Sequence, residues 1–192
     1  MARPRSEEAN RAALAATVDL LVECGLEGVT WEEVSNRSGV AKSTLYRHFG
    51  NREIMIEAAV RSCRVEYLTP DTGSLEEDLR FLFDHRSSSE EERRLNELLP
   101  LVVDAARRDP AFVEVVDDIV ENRKRPLLTI LRLAQLRGEL AENLDLDDAF
   151  ALIIGPITFK RMIQQRPVTP EFTDRVIEWA LQALRDGRPS PA

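Results

Sequence analysis

The segment from Thr30 to Arg52 constrains the fold of this chain more than any other part of its sequence. Thr30 can cap a helix with its hydroxyl, and Glu33 stands where a capping box returns a bond to the cap's own N–H. Gly39 then interrupts the run, and glycine tolerates the positive φ that a sharp turn between helices often needs. The spacing therefore predicts two short helices joined by a turn, which is a helix-turn-helix.

The second helix of this segment is predicted at about residues 42–49 and is mostly polar. Its apolar residues, Leu45 and Phe49, are four positions apart and are expected to face the core. Side chains that can form hydrogen bonds cover the rest of its surface, namely Lys42, Ser43, Thr44, Tyr46, Arg47 and His48. So many polar groups do not suit a core element, but they suit a helix that lies in a groove of DNA.

The distribution of charge is compatible with a DNA partner. The net charge is −8, which taken alone argues against binding to nucleic acid. Residues 1–64, however, hold nine Lys or Arg and nine Asp or Glu, and residues 34–52 hold four basic residues and no acid. Attraction to phosphate acts within a Debye length of about 8 to 10 Å, so a basic face on an acidic chain can still bind DNA.

These residues resemble the DNA-binding domain of the TetR family of bacterial transcriptional regulators. The family pattern is matched by Thr30, by Gly39-Val40 and by the run Thr44-Leu45-Tyr46-Arg47-His48-Phe49, and the resemblance covers about residues 9–64. It implies that Lys42 and Ser43 lie near base edges. It also implies that five residues lie near phosphates, namely Thr30, Thr44, Tyr46, His48 and Arg52. Glu32 departs from the pattern, since some members carry a basic residue there. An acid at this position can accept from a cytosine amino group, but more often it repels phosphate, so Glu32 is assigned no contact.

The whole chain is predicted to be all-α, with about nine helices. An N-terminal helix-turn-helix DNA-binding domain is expected at residues 1–52, with a connecting helix at 52–68. The break at Thr69-Pro70-Asp71-Thr72-Gly73 separates it from a C-terminal ligand-binding and dimerisation domain at 69–192. Other helices are predicted at about residues 6–24, 75–86, 90–107, 110–138, 147–159 and 171–185, with a loop at Ser87–Ser89.

The C-terminal third resembles TetR-type ligand-binding domains that are common in actinobacterial regulators, through Arg137-Gly138-Glu139-Leu140, Asp147-Asp148-Ala149 and Gly155-Pro156. The resemblance implies a homodimer in which the last two helices pair with their copies. Those helices also carry more apolar surface than one thin domain is expected to cover. The predicted interface consists of Ala149, Ile153, Ile157, Phe172, Val176, Trp179, Ala180 and Ala183. A purely intramolecular core is the alternative.

A small-molecule effector is implied by the same resemblance. The predicted pocket combines apolar walls and polar groups on the middle helices, namely Phe81, Leu98, Val102, Phe112, Val116, Ile119, Asn122, Arg123, Thr158 and Phe159. Ordinary core packing is the alternative for each of these residues. Walls with few polar groups suit a hydrophobic or aromatic ligand.

Other classes of protein lack support in the sequence. There is no Gly-rich phosphate loop, nucleophile elbow or cluster of metal ligands, so neither an enzyme nor a cofactor is predicted. No apolar run suggests a membrane span or a signal peptide, so a cytoplasmic protein is expected. The sequence predicts a repressor that binds a palindromic operator as a homodimer and is released by a ligand. A regulator controlled by a partner protein, and an enzyme on a helical domain, are the alternatives.

Overall fold

A computed structural model describes residues 3–63, residue 65 and residues 67–186. Within these residues the chain forms nine α-helices and no strand, as the sequence predicted. A π-helical segment, Phe159–Ile163, continues the eighth helix. The α-helices are α1 Arg3–Gly28, α2 Trp31–Ser38, α3 Lys42–Phe49, α4 Arg52–Ser62, α5 Leu75–Ser88, α6 Glu90–Ala106, α7 Ala111–Leu136, α8 Leu146–Thr158 and α9 Pro170–Asp186.

The chain packs as two compact units. The first unit comprises Met1–Val65 and Glu90–Asp118, and the second comprises Glu66–Ser89 and Ile119–Ala192. The helix α6 and the start of α7 therefore pack with the N-terminal segment, although they follow the break at Thr69–Gly73. The division of the chain into domains 1–52 and 69–192 stays a prediction.

Local signals set the helix ends around the turn of the first unit. Thr30 Oγ1 accepts a hydrogen bond from the Glu33 N–H at 3.1 Å, which caps α2. Gly39 closes α2 in the left-handed region, with φ at 71°. Asn51 Oδ1 accepts from the Ile54 N–H at 2.7 Å and caps α4. These caps fix α3 in the position that the sequence predicted, with Leu45 buried beneath it.

Three predicted helix ends differ from the structure. The first helix starts at Arg3 and is broken at Gly25, where φ is 67°. The helix α4 was predicted to reach residue 68 but ends at Ser62. The Ser62 hydroxyl donates to the Ala59 carbonyl at 2.6 Å. The serine run does not form a loop, because α5 continues to Ser88.

The core of the second unit lies among α5, α7, α8 and α9. Its fully buried members include Leu79, Leu127 and Ile153, each with no exposed surface. The face of α5 that carries Leu75, Leu79 and Leu82 supplies one side of this core. Burying a leucine or isoleucine side chain contributes about 1.5 to 3 kcal/mol, so this layer stabilises the unit.

A buried charge network holds the start of α5 in the second unit. Asp78 has no exposed surface, and its carboxylate accepts from Arg137 Nη2 at 3.0 Å and from the Thr72 N–H at 2.7 Å. Arg137 Nε also donates to Glu139 Oε1 at 2.7 Å. Glu139 Oε2 in turn accepts from the Leu75 N–H at 2.8 Å, a capping bond across 64 residues. Ser74, the N-cap residue of α5, forms no side-chain cap bond.

A buried amide organises the connection between α7 and α8. Gln135 is 6% exposed. Its Nε2 donates to the carbonyls of Ala141 at 3.0 Å, Glu142 at 3.3 Å and Leu144 at 3.0 Å. One side chain therefore satisfies the backbone of a loop that has no regular ladder of its own. In the part of the chain described, no helix is both long enough and apolar enough for a membrane span.

Candidate nucleic-acid interface

The helix α3 presents its polar side chains to solvent, as a reading helix must. Lys42, Ser43, Tyr46 and His48 are exposed, and Tyr46 retains 50% of its surface. Thr44 is half-buried. Since Leu45 and Phe49 anchor the opposite face, the exposed residues form one continuous surface.

Thr30 and Arg52, two of the predicted phosphate contacts, lie at the starts of α2 and α4. Thr30 is exposed and its oxygen already accepts the capping bond, so its O–H remains able to donate to a phosphate. The other half of the predicted capping box is wrong, because the Thr30 N–H donates to the Gly28 carbonyl. Arg52 is half-buried at the first position of α4.

One aromatic contact joins α3 to α2, and another lies within α3. The rings of Trp31 and Tyr46 are 4.2 Å apart between centroids and tilted by 33°. The His48 ring meets Phe49 edge-on, with centroids 4.6 Å apart. The Trp31 ring therefore holds Tyr46 at the surface, and the Tyr46 hydroxyl is not packed in the core.

Most basic residues of this surface are paired with acids. Arg37 Nη2 donates to Glu23 Oε2 at 2.8 Å, and this hydrogen bond lowers the pKa of the Glu23 carboxyl. Lys42 Nζ lies 3.1 Å from Glu32 Oε2. Arg52 Nε lies 3.6 Å from Glu53 Oε1.

Arg47 differs from the other basic residues of this segment. Among the described residues it has no ion-pair partner. Its charge is exposed on α3 and available to a polyanion. The family resemblance assigns no contact to Arg47, although its position on the polar face of α3 would support one.

Five residues of the predicted dimer interface are instead buried in the protomer itself. Val176 is 1% exposed, Ile153 has no exposed surface, and both belong to the core of the second unit. These positions offer a partner little surface, and the interface stays a prediction. The residues concerned are Ala149, Ile153, Ile157, Val176 and Ala180.

The opposite faces of α8 and α9 are apolar and exposed. Trp179 retains 55% of its surface, and Ala183, one turn later, is also exposed. Leu152 and Phe159, on α8 and its π-helical continuation, retain 44% and 54%. Phe172 is half-buried beneath the Lys160 ammonium, which lies 4.0 Å from its ring centroid. We call Leu152, Phe159, Ile163, Trp179 and Ala183 the outward stripe.

The predicted ligand-pocket residues are divided between the two units. Leu98, Val102, Phe112 and Val116 belong to the first unit, and Leu98 and Val102 are buried there. The other six belong to the second unit, namely Phe81, Ile119, Asn122, Arg123, Thr158 and Phe159. Phe81 and Phe159 are about half exposed, at 46% and 54%. The pocket stays a prediction.

The sequence did not single out a buried cation in the second unit. Arg86 is 9% exposed, and its Nη2 donates to the Arg123 carbonyl at 2.6 Å. Its guanidinium carbon also lies 4.6 Å from the centroid of the Tyr67 ring. From sequence, an arginine beside His85 at a helix end is expected to be exposed to solvent. The packing of Tyr67 against Arg86 is visible only in the structure.

Two other features of the described residues bear on candidate sites. A cavity of about 250 Å³ in the second unit is lined by Glu76, Glu178, Leu181, Gln182 and Arg185. Four of these five residues are polar or charged, and none belongs to the apolar pocket that the sequence predicted. No group of three or more His, Cys, Asp or Glu side chains in the described part of the chain is placed to hold a metal ion.

Comparison with known proteins gives matches over most of the chain. Residues 13–59 match the family "Bacterial regulatory proteins, tetR family", and residues 69–180 match "Tetracyclin repressor-like, C-terminal domain". The uncharacterised HTH-type transcriptional regulator YdeS of Bacillus subtilis is 29% identical over 193 residues, which span 95% of this chain and 93% of YdeS.

Two further matches agree. An uncharacterised HTH-type transcriptional regulator of Mycobacterium bovis is 28% identical over 167 residues, which span 86% of this chain and 82% of the relative. The solved structure of a TetR transcriptional regulator from Agrobacterium tumefaciens matches with a TM-score of 0.71 and 18% identity, over 92% of each chain. At that identity the structural match shows a shared fold.

Proposed function

Because this chain belongs to the TetR family of transcriptional regulators, we propose that it represses transcription from a near-palindromic operator. It acts there as a homodimer and leaves the operator when a small hydrophobic or aromatic ligand binds. A protein with this task works in the cytoplasm, beside the chromosome. The observation that carries the proposal is α3, a short helix with a buried apolar side and an exposed, polar, partly basic side.

The direct contacts with DNA come from α3 and its flanks. Lys42 and Ser43, in the first turn of α3, are placed to meet base edges in the major groove. Arg52, Tyr46 and the Thr30 hydroxyl contact phosphates, which fix the register of the helix. Two protomers related by a two-fold axis read a two-fold operator.

The homodimer forms through the outward stripe. Four of its five residues are large apolar side chains that keep between 44% and 71% of their surface in the free protomer. Gly155 faces the same side, and a Cβ added there would meet nothing within 4 Å. A partner helix can therefore approach α8 closely at Gly155, and the stripe buries apolar area on association.

Ligand control acts through helices that already contact the DNA-binding helices in the first unit. Arg61 of α4 pairs with Glu57 at 2.9 Å and also with Asp118 of α7. Asp118 is the last residue of the first unit, and α7 continues without interruption into the second. A ligand that shifts α7 thus has a direct contact through which to move α4 and the recognition helix.

Selection from a randomised pool of DNA duplexes tests the central claim. The purified chain is expected to enrich a near-palindrome with half-site centres about 34 to 36 Å apart, or slightly more. The same duplex should be found upstream of the gene or of a neighbour. Enrichment of no sequence over several rounds would reject the proposal.

Two substitutions separate base reading from phosphate contact. Lys42→Ala should weaken the selected duplex by about 1 to 3 kcal/mol and flatten the base preference. Arg52→Ala should weaken all duplexes alike and reduce the salt slope by about one. Wild-type salt dependence and base preference in both variants would contradict this assignment.

Trp179→Asp tests the outward stripe. A charge at this position is expected to give monomers in sedimentation and a large loss of operator affinity, because the charge loses water on association. Glu178→Asp, one residue earlier and exposed, is the matched control and should stay dimeric. A dimeric Trp179→Asp protein would place the interface elsewhere.

Linkage tests the ligand. Hydrophobic and aromatic metabolites are first screened for a rise in melting temperature, and the affinity of each hit is then measured with and without the selected duplex. Operator DNA should weaken an effector by the same factor by which the effector weakens DNA, typically about 5- to 150-fold. Equal affinities for every hit would mean that ligand binding does not control DNA binding.

A further inference from the structure

Glu32 forms an ion pair with Lys42 at the start of α3, the helix proposed to contact the bases. Lys42 occupies the first position of α3, where the helix dipole disfavours a cation. The N-cap of α3 is Ala41, which offers no side-chain hydrogen bond. The carboxylate of Glu32, 3.1 Å from Lys42 Nζ, places a negative charge beside this cation.

The position of Glu32 beside α3 is fixed by its neighbour. Trp31, the preceding residue, stacks on Tyr46 of α3 with ring centroids 4.2 Å apart. Two successive residues of α2 therefore contact two residues on the exposed side of α3. The carboxylate stays close to any group that Lys42 contacts, since α2 cannot move away without losing the stack.

We infer that Glu32 is a specificity-determining residue, which holds Lys42 for base edges and disfavours its use on phosphate. The Lys42 ammonium has three donors, so it can keep one on Glu32 and offer the others to guanine acceptors. A phosphate bound to Lys42 would instead lie beside the Glu32 carboxylate, and the two negative charges would repel. Glu32 thereby weakens non-specific binding more than operator binding.

This inference rests on the proposed function and assigns a role to a residue that the family resemblance left without a DNA contact. The neighbouring charges agree with it. Arg37 and Arg52 are also paired with acids, at 2.8 Å and 3.6 Å. Three of the four basic residues of this segment are therefore committed to acids before DNA arrives, and only Arg47 among them is exposed without an ion-pair partner in the described residues, which limits attraction that does not depend on sequence.

Glu32→Gln tests the inference, because glutamine keeps the shape and removes the charge. The probes are the duplex that the wild-type protein selects and a duplex of scrambled order with the same composition. Affinity for the scrambled duplex should rise roughly 2- to 30-fold, the effect of releasing one exposed ion pair in each of two protomers. Affinity for the selected duplex should change by less than about threefold, and the salt slope on scrambled DNA should steepen by about one per protomer.

Glu33→Gln is the matched control. Glu33 is exposed in the same turn of α2 and has no ion-pair partner among the described residues. The substitution Glu33→Gln removes the same charge as Glu32→Gln, so any change in DNA affinity that follows from net charge alone will appear in both variants. An equal loss of discrimination in Glu32→Gln and Glu33→Gln would overturn the role of Glu32.

A double-mutant cycle with Lys42→Ala shows whether Glu32 acts through Lys42. In the Lys42→Ala background, Glu32→Gln should leave the salt slope on scrambled DNA unchanged. An undiminished effect there would overturn the inference, because Glu32 would then act on DNA directly. A wild-type protein that selects no duplex would reject the proposed function itself, whereas selection with unchanged discrimination in Glu32→Gln rejects only this inference.

Discussion

The recognition segment of the first unit and the start of α5 in the second close their helix ends by different means. In the first unit, Thr30 and Asn51 cap helices whose N–H groups lie three residues ahead. In the second, the start of α5 is capped by Glu139, 64 residues away, and held by the Arg137–Asp78 pair across 59 residues. The recognition segment is therefore specified by neighbours in sequence, and the start of α5 by contacts that exist only after folding, whereas α8 of the same unit has a local cap in Asp145.

This difference has energetic consequences. An exposed cap contributes about 1 kcal/mol, and its loss leaves one N–H that water can satisfy. A buried charge that loses its partner has no such substitute, and the cost rises to several kcal/mol. The free energy of unfolding should thus fall more when a polar residue of the network at the start of α5 is replaced than when a cap of the first unit is replaced.

Asp78→Ala should have the largest effect. It removes the common acceptor of Arg137 Nη2, the Thr72 N–H and the Thr72 hydroxyl, while Arg137 keeps its pairs with Asp71 and Glu139, so we expect a loss of about 2 to 4 kcal/mol in urea unfolding. Hydrogen exchange should locate the loss in α5 and α7. Glu77→Ala, at the exposed preceding position, should change stability by less than about 0.5 kcal/mol. Similar values for both variants would remove the contrast between the units.

Gln135→Leu should rank second. Three carbonyls lose their common donor, and an unsatisfied buried group costs about 1 to 3 kcal/mol. Faster hydrogen exchange is expected in residues 139–146, at the loop between α7 and α8. Leu136→Ala is the control, because Leu136 is 77% exposed and contributes little to the core. Unchanged exchange in the loop of Gln135→Leu would show that the amide does not organise it.

Asn51→Ala should have the smallest effect of the three. It removes the acceptor of the Ile54 N–H, and the loss of an N-cap costs about 0.5 to 2 kcal/mol. Asn51→Asp keeps an acceptor at the same place and should retain the stability. A loss as large as that of Asp78→Ala would mean that the first unit also depends on this cap through tertiary contacts.

The same contrast explains which parts of the fold the sequence could predict. The helix α3 begins and ends where predicted, because Gly39 and Asn51 act within its own segment. The end of α4 was missed, since residues 63–68 contain no glycine or proline to mark it. Glu139 caps α5 from 64 residues away, so the sequence on either side of Glu139 does not indicate that it is the cap.

The prediction of the interface is limited by a different property of the sequence. The helix α8 is apolar on more than one side, with Leu152 exposed next to the buried Ile153. Periodicity identifies an apolar stripe but does not say whether the protomer or a partner covers it. The predicted interface residues with the clearest helical spacing, such as Ile153 and Val176, lie in the core of the protomer. Trp179 and Ala183 remain as candidates because they lie on the other face of α9.

The positions of the two tryptophans give the protein built-in optical reporters. The chain has two tryptophans, one stacked on Tyr46 beside the recognition helix and the other, Trp179, in the outward stripe. Emission from Trp31 should respond to DNA, and emission from Trp179 to association of protomers. With Trp179→Phe, titration against the selected duplex follows the first event alone, and with Trp31→Phe, dilution follows the second. Both steps can then be observed in an unlabelled chain.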